Sequence, residues 1–144
     1  MAGVKVQVGE VTTFAKTVGE SDIYLFAGIT GDFAPNHINQ AFMARSRFGR
    51  IQAHGALIVG FMSTVAGMVA IRTSAPPEIA VSVGYDRIRF TAPVFVGDTI
   101  TVTYRIVGVE EARRRATADI EVTNEDGTLV AVARHILGWI DEAG

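Results

Sequence analysis

The chain has 144 residues, 49% of them hydrophobic, a formal net charge of −2 and no cysteine. That is enough for one buried core and argues against a disordered or disulfide-framed chain. The absence of a basic excess removes the usual field for nucleic acid or an anionic membrane, and the absence of cysteine removes thiolate nucleophiles and thiolate metal sites.

The start, "MAGVKVQVGEVTTF", alternates without an apolar signal-like core, so the cytoplasm is the expected compartment. No linker or repeat divides the chain, which reads as a single domain over 1–144. Residues 4–18 read as a first strand interrupted near Gly9, with Val4, Val6 and Val8, then Val11, Phe14 and Val18. Ser21 is the expected cap of a helix carrying Ile23, Phe26 and Ala27 at helical spacing, with Asp22 at its positive end.

Gly28, Gly31 and Pro35 end that helix, and "GITGDFAPNH" follows as a loop. Asn39 caps a short helix over 40–46. After the loop "FGRIQAHG" comes "GALIVGFMSTVAGMVAI", residues 55–71, which is close to the shortest membrane span of roughly 17 residues. Its glycines, Ser63 and Thr64, and the strands that follow, favour a buried helix wrapped on most sides by other elements.

Residues 79–91 alternate but change parity between Tyr85 and Ile88, predicting a bulge near Asp86. "APVFVGDT" reads as a turn. Two further strands carry Ile100 to Ile106 and Ala116 to Val122, "NEDG" at 124–127 is a hairpin turn, and 128–140 close the set. The expected architecture is α+β, with four consecutive strands in a meander around the apolar helix.

Chemistry concentrates in "GDFAPNH". Gly, Asp, Pro and Asn are ordinary turn formers, so the loop alone is compatible with a plain turn. Yet Asp32 and His37 can form an acid–base pair if the proline bend turns both inward. Phe26, Ile29, Phe33 and Ile38 nearby would desolvate the carboxylate and raise its basicity. Gly55 stands where the long helix begins, so its N–H can meet an oxygen gaining negative charge. His54 reads as a structural or capping group. The spacing of the three histidines matches no familiar metal site, and no metal is expected.

These segments resemble a known family. "YLFAGITGDFAPNHINQAFMARSRFG" with "IQAHGALIVGFMS" looks like the hydratase 2 motif of the MaoC-like, R-specific enoyl-CoA hydratases, and "RIRFTAPVFVGDTI" is similar to the strand and turn that follow there. The resemblance implies a hot-dog fold, an antiparallel sheet wrapped around the long central helix, assembled as a homodimer or higher homo-oligomer. It implies reversible hydration of a trans-2-enoyl thioester to the R-3-hydroxyacyl thioester, carried by coenzyme A or an acyl carrier protein, without a cofactor. Asp32 and His37 would activate water, Gly55 would bind the thioester oxygen, and Ser63 would line the acyl pocket or join its polar network. One departure stands out: the family has Asn two residues after the Asp and an aliphatic residue before the His, where this chain has Ala34 and Asn36.

The competing readings are a hot-dog thioesterase, a non-catalytic acyl-thioester-binding partner subunit, and a dehydratase of carrier-protein thioesters. Arg45, Arg47, Arg50, Arg72, Arg87 and Arg89 are candidates for nucleotide phosphates.

Overall fold

A computed structural model describes residues 3–142. The elements run β1 (Val11–Thr17), α1 (Glu20–Thr30), α2 (Pro35–Ile38), α3 (Gln40–Ala44), α4 (Gly55–Thr73), β2 (Glu78–Phe90), β3 (Thr99–Glu110), β4 (Arg115–Thr123) and β5 (Leu129–Asp141). All strand pairs are antiparallel, in the spatial order β1-β3-β4-β5-β2. The α+β architecture of a sheet curled against one long helix is therefore present.

The meander holds only for β3, β4 and β5. β2 lies beyond β5 at the sheet edge instead of beside β3. Three strand spacings, roughly 14 Å, separate β2 from β3, which no tight turn can bridge. The segment 91–98 crosses that distance instead. It is tied down on the way: Thr91 N–H donates to the Val130 carbonyl (2.9 Å) and Ala53 N–H to the Val94 carbonyl (2.7 Å). Gln52 forms a bridge with Phe95.

Inward-facing residues alternate along the central strands. Ile100, Val102, Tyr104 and Ile106 of β3, Ala116, Ala118, Ile120 and Val122 of β4, and Ala131, Ala133 and Leu137 of β5 are all buried. Against them α4 lays Ile58, Met62, Val65, Ala66 and Val69, one stripe at helical spacing. The helix is long and apolar enough to span a membrane by length and composition, yet this stripe packs on the sheet. It is not enclosed on most sides as expected. Met68 is 43% and Ile71 82% exposed, and Ala56, Gly60, Ser63 and Thr64 are exposed as well.

Several local expectations hold. Asn39 Oδ1 accepts the Phe42 N–H at 2.9 Å and caps α3. Asn124 Oδ1 accepts the N–H groups of Asp126 and Thr128, both at 3.0 Å, and closes the β4–β5 turn. β2 slips register between Asp86 and Arg89, with Arg87 in the left-handed region at φ 54°, and again between Ser82 and Gly84. Others shift. β1 starts only at Val11, after a turn at Gly9. The cap of α1 is Gly19, not Ser21, because the Asp22 carboxylate reaches back to the Gly19 N–H at 2.7 Å.

One polar group sits deep in this core. His135 is fully buried, with Nε2 2.8 Å from the Ser82 hydroxyl and Nδ1 2.8 Å from the Tyr104 phenol. Burial lowers its pKa to about 4, so the folded chain holds it neutral. An unfolded histidine titrates near 6.5. Between those values the unfolded state binds the extra proton, so this stabilisation is complete above about pH 6.5 and is lost as pH falls toward 4. Urea unfolding from pH 7 to 4 should show a loss of up to about 3 kcal/mol that His135→Gln removes. Identical pH slopes for the two proteins would refute the assignment.

Candidate active site

The site is built where α1 stops. Gly31 takes the left-handed conformation at φ 80°, and its N–H closes on the Ala27 carbonyl (2.8 Å). Asp32 follows; its Oδ1 accepts the Ala34 N–H at 3.2 Å, a local turn of the kind aspartate favours. Pro35 then opens α2 at its first position, where the missing N–H costs nothing. The sequence reads this stretch as loop. The single turn of helix is what swings His37 inward, to 9% exposure.

Two backbone carbonyls set the imidazoles. His37 Nδ1 lies 2.8 Å from the Gln52 carbonyl, which can only accept, so Nδ1 carries a proton and in the neutral ring the lone pair is on Nε2. His54 Nε2 lies 3.1 Å from the Asp32 carbonyl and donates to it in the same way. The His54 ring stacks on His37 with centroids 3.8 Å apart and packs against Phe26 at 4.7 Å. His54 is thus a clamp between the two residues singled out by the motif. Its backbone precedes α4, and its Nδ1 is buried without a partner.

An Asp32 carboxylate oxygen and one nitrogen of each ring lie within 4.8 Å of one another. A carboxylate and two imidazoles are the donors of many metal centres. Here the rings are stacked, only 23° from parallel, so their in-plane lone pairs run side by side instead of converging. One nitrogen of each ring is also occupied by a carbonyl. The arrangement suits hydrogen bonding to a small molecule better than coordination.

The expected desolvation of Asp32 is not supplied by this chain. Asp32 is exposed, and two of the four neighbours expected to cover it point outward, Ile29 at 81% and Phe33 at 57% exposure. They sit on the outward side of the bend, where the chain itself has nothing left to pack on them.

A cavity of about 530 Å³ opens beside the pair. His37, Asn36, Gln52, Gly55, Phe48 and Phe90 are among its lining residues. Asn36 therefore returns an amide to the site that Ala34 removes. Gly55 is the first residue of the 19-residue α4, so its N–H has no acceptor within the helix and stands at the positive end of the helix dipole. A Cβ there would lie 2.5 Å from the Phe90 ring, so any larger residue would require that half-exposed ring to move aside. Phe90 lies in the segment "RIRFTAPVFVGDTI", but nothing in that stretch places its ring over Gly55, because it arrives from the far end of β2.

Ser63 is not brought to this lining. It lies eight residues beyond Gly55, roughly 12 Å along the helix, and is exposed. Its neighbour across the packing is Tyr85, whose hydroxyl is buried without a hydrogen-bond partner. Burial raises the Tyr85 phenol pKa, with the Ser63 hydroxyl acting in the opposite direction.

Residues 4–128 match the family described as MaoC like domain. The chain is 38% identical over 112 residues to an (R)-specific enoyl-CoA hydratase of Rhodospirillum rubrum, covering 78% of this chain and 74% of that one. It is 36% identical over 110 residues to a 3-hydroxybutyryl-CoA dehydratase of Methylorubrum extorquens, covering 76% of this chain and 66% of that one. Among solved structures, the (R)-hydratase of A. caviae involved in PHA biosynthesis superposes with a TM-score of 0.83 at 25% identity, over 93% of this chain and 97% of that one. With the family match spanning four of the five strands, the central helix and the Asp32–His37 loop, the chain belongs to the MaoC-like family of hot-dog proteins.

Proposed function

We propose that the protein adds water reversibly across the double bond of a trans-2-enoyl-CoA, giving the R-3-hydroxyacyl thioester. The observation that carries this reading is the spacing of Asp32 and His37. Two hydrogen bonds of about 2.8 Å let one water bridge atoms up to roughly 5.6 Å apart, and the carboxylate and ring nitrogen lie within 4.8 Å. Relatives named for hydration and dehydration of acyl-CoA thioesters support the same chemistry in this chain.

Water is a weak nucleophile and needs a base as it attacks. The His37 Nε2 lone pair and the Asp32 carboxylate would hold it, one of them taking a proton as oxygen bonds to the β-carbon. Electrons move to the thioester oxygen, where the Gly55 N–H would meet the developing charge. The proton then returns to the α-carbon from the same pair, so H and OH add across the double bond and nothing else is consumed. No cofactor is invoked. Ile58, Val94 and Val130 give the cavity an apolar side for the acyl chain. Ser63, with Tyr85, would border a longer acyl group further along α4.

Given crotonyl-CoA, the protein should lower the enoyl absorbance without releasing thiol. Asp32→Asn and His37→Ala should each cost about a hundredfold or more in turnover, and the double variant little beyond either, because both act on one water. Thiol release with the double bond intact would make the chain a thioesterase. Neither signal across short and long chains would make it a non-catalytic partner.

We also propose a homodimer. β2 is an edge strand with Val83 45% exposed, and the outer side of α4 exposes Met68 and Ile71. An open edge and an apolar face are both protected by a second copy, which would also cover the exposed Asp32. Light scattering at micromolar concentration should return twice the chain mass; a monomer would contradict the proposal. The proposed compartment is the cytoplasm.

A further inference from the structure

Between Asp32 and Glu78 the sequence contains no aspartate or glutamate, while Arg45, Arg47, Arg50 and Arg72 fall inside that interval. A chain of net charge −2 thus carries a purely cationic stretch, and the cavity is built largely from it. Arg72 is neutralised: its guanidinium lies 3.1 Å from the Glu10 carboxylate. The other three are exposed on the segment joining α3 to α4, and among the described residues no carboxylate pairs with them.

Two of the three are held in place. The Arg50 guanidinium lies 4.1 Å over the Phe95 ring and the Arg47 guanidinium 4.6 Å over the Phe48 ring. The rings themselves pack 6.4 Å apart. Phe48 lines the cavity together with His37 and Gly55, and Phe95 bridges to Gln52, whose carbonyl orients His37. A guanidinium stacked by its face keeps its N–H edge free, in the geometry that grips phosphate with two parallel hydrogen bonds. Neither remaining arginine candidate is built this way. Arg87 shares its surface pocket with Asp119 and Glu121, and Arg89 donates to the adjacent Ile88 carbonyl at 2.7 Å.

We infer that Arg45, Arg47 and Arg50, mounted on Phe48 and Phe95, form a phosphate subsite for the nucleotide end of a coenzyme A thioester. The inference rests on the enoyl-CoA reading of the cavity and adds which residues hold the nucleotide phosphates. Coenzyme A concentrates a 3′-phosphate and a diphosphate on one nucleotide, which three cations within six residues match. A carrier protein presents one phosphodiester and spreads its acids over a folded surface.

The test compares crotonyl-CoA with crotonyl-pantetheine, which has the same reacting end and no nucleotide. Arg47→Gln/Arg50→Gln should raise KM for crotonyl-CoA by about tenfold to a hundredfold, leaving kcat and all constants for crotonyl-pantetheine unchanged. Arg72→Gln, the same charge change at a paired arginine, should alter neither. Calorimetry with adenosine 3′,5′-bisphosphate gives a readout without catalysis: wild type binds it, and the double variant binds at least tenfold more weakly. If no thioester is turned over but the bisphosphate binds in this pattern, the hydratase reading fails and the subsite stands. An equal loss on both substrates, a loss only on a crotonyl carrier protein, or bisphosphate binding indifferent to the two arginines would overturn it.

Discussion

The packing of one helical stripe on the sheet is the contact from which the site descends. Ile58, Met62, Val65, Ala66 and Val69 of α4 share one core with the alternating apolar faces of β3, β4 and β5, and the helix lies nearest β1, β2 and β3. Burying such side chains is worth roughly 1.5–3 kcal/mol each, so the helix has one register on the sheet. That register fixes where α4 begins. Gly55 and His54 then arrive beside the crossover 91–98, which is pinned there by Ala53 and Gln52.

From that point the site is organised by main chain. The carbonyls of Gln52 and Asp32 choose the protonated nitrogen of His37 and His54, and stacking holds the two rings together. Backbone donors and acceptors cannot change rotamer, so the pair is preorganised without a buried ionic network. Asp32 is the exception, exposed and tied only by a local turn. The chain delivers a positioned histidine and a helix N-terminus, and leaves the carboxylate exposed.

Legibility followed the range of the interactions. Asn39 as a cap, Asn124 in the hairpin and the bulge after Asp86 were readable, because each depends on residues within a few positions. The Asp32–His37 spacing and Gly55 at the helix start were readable for the same reason, reinforced by the family motif. The position of β2 beside β5 was not, since alternation states that a strand exists and says nothing of its neighbour. The Phe90 ring over Gly55 and the His37–His54 stack join residues distant in sequence, with no periodic signature. The turn at Pro35–Ile38 escaped because four residues are too few to set a period. Desolvation of Asp32 was inferred from apolar neighbours in sequence, but on a bend half of those neighbours face outward.

The central claim is that one pair, Asp32 and His37, holds one water and serves a single face of the double bond. Hydration of crotonyl-CoA in D₂O tests it most directly, with the product's C2–C3 proton coupling read by NMR. The account predicts the R configuration at C3, with the C2 deuteron and the C3 oxygen added to the same face. Addition to opposite faces, or a mixture of the two, would mean that separate groups deliver the oxygen and the proton, and would contradict it.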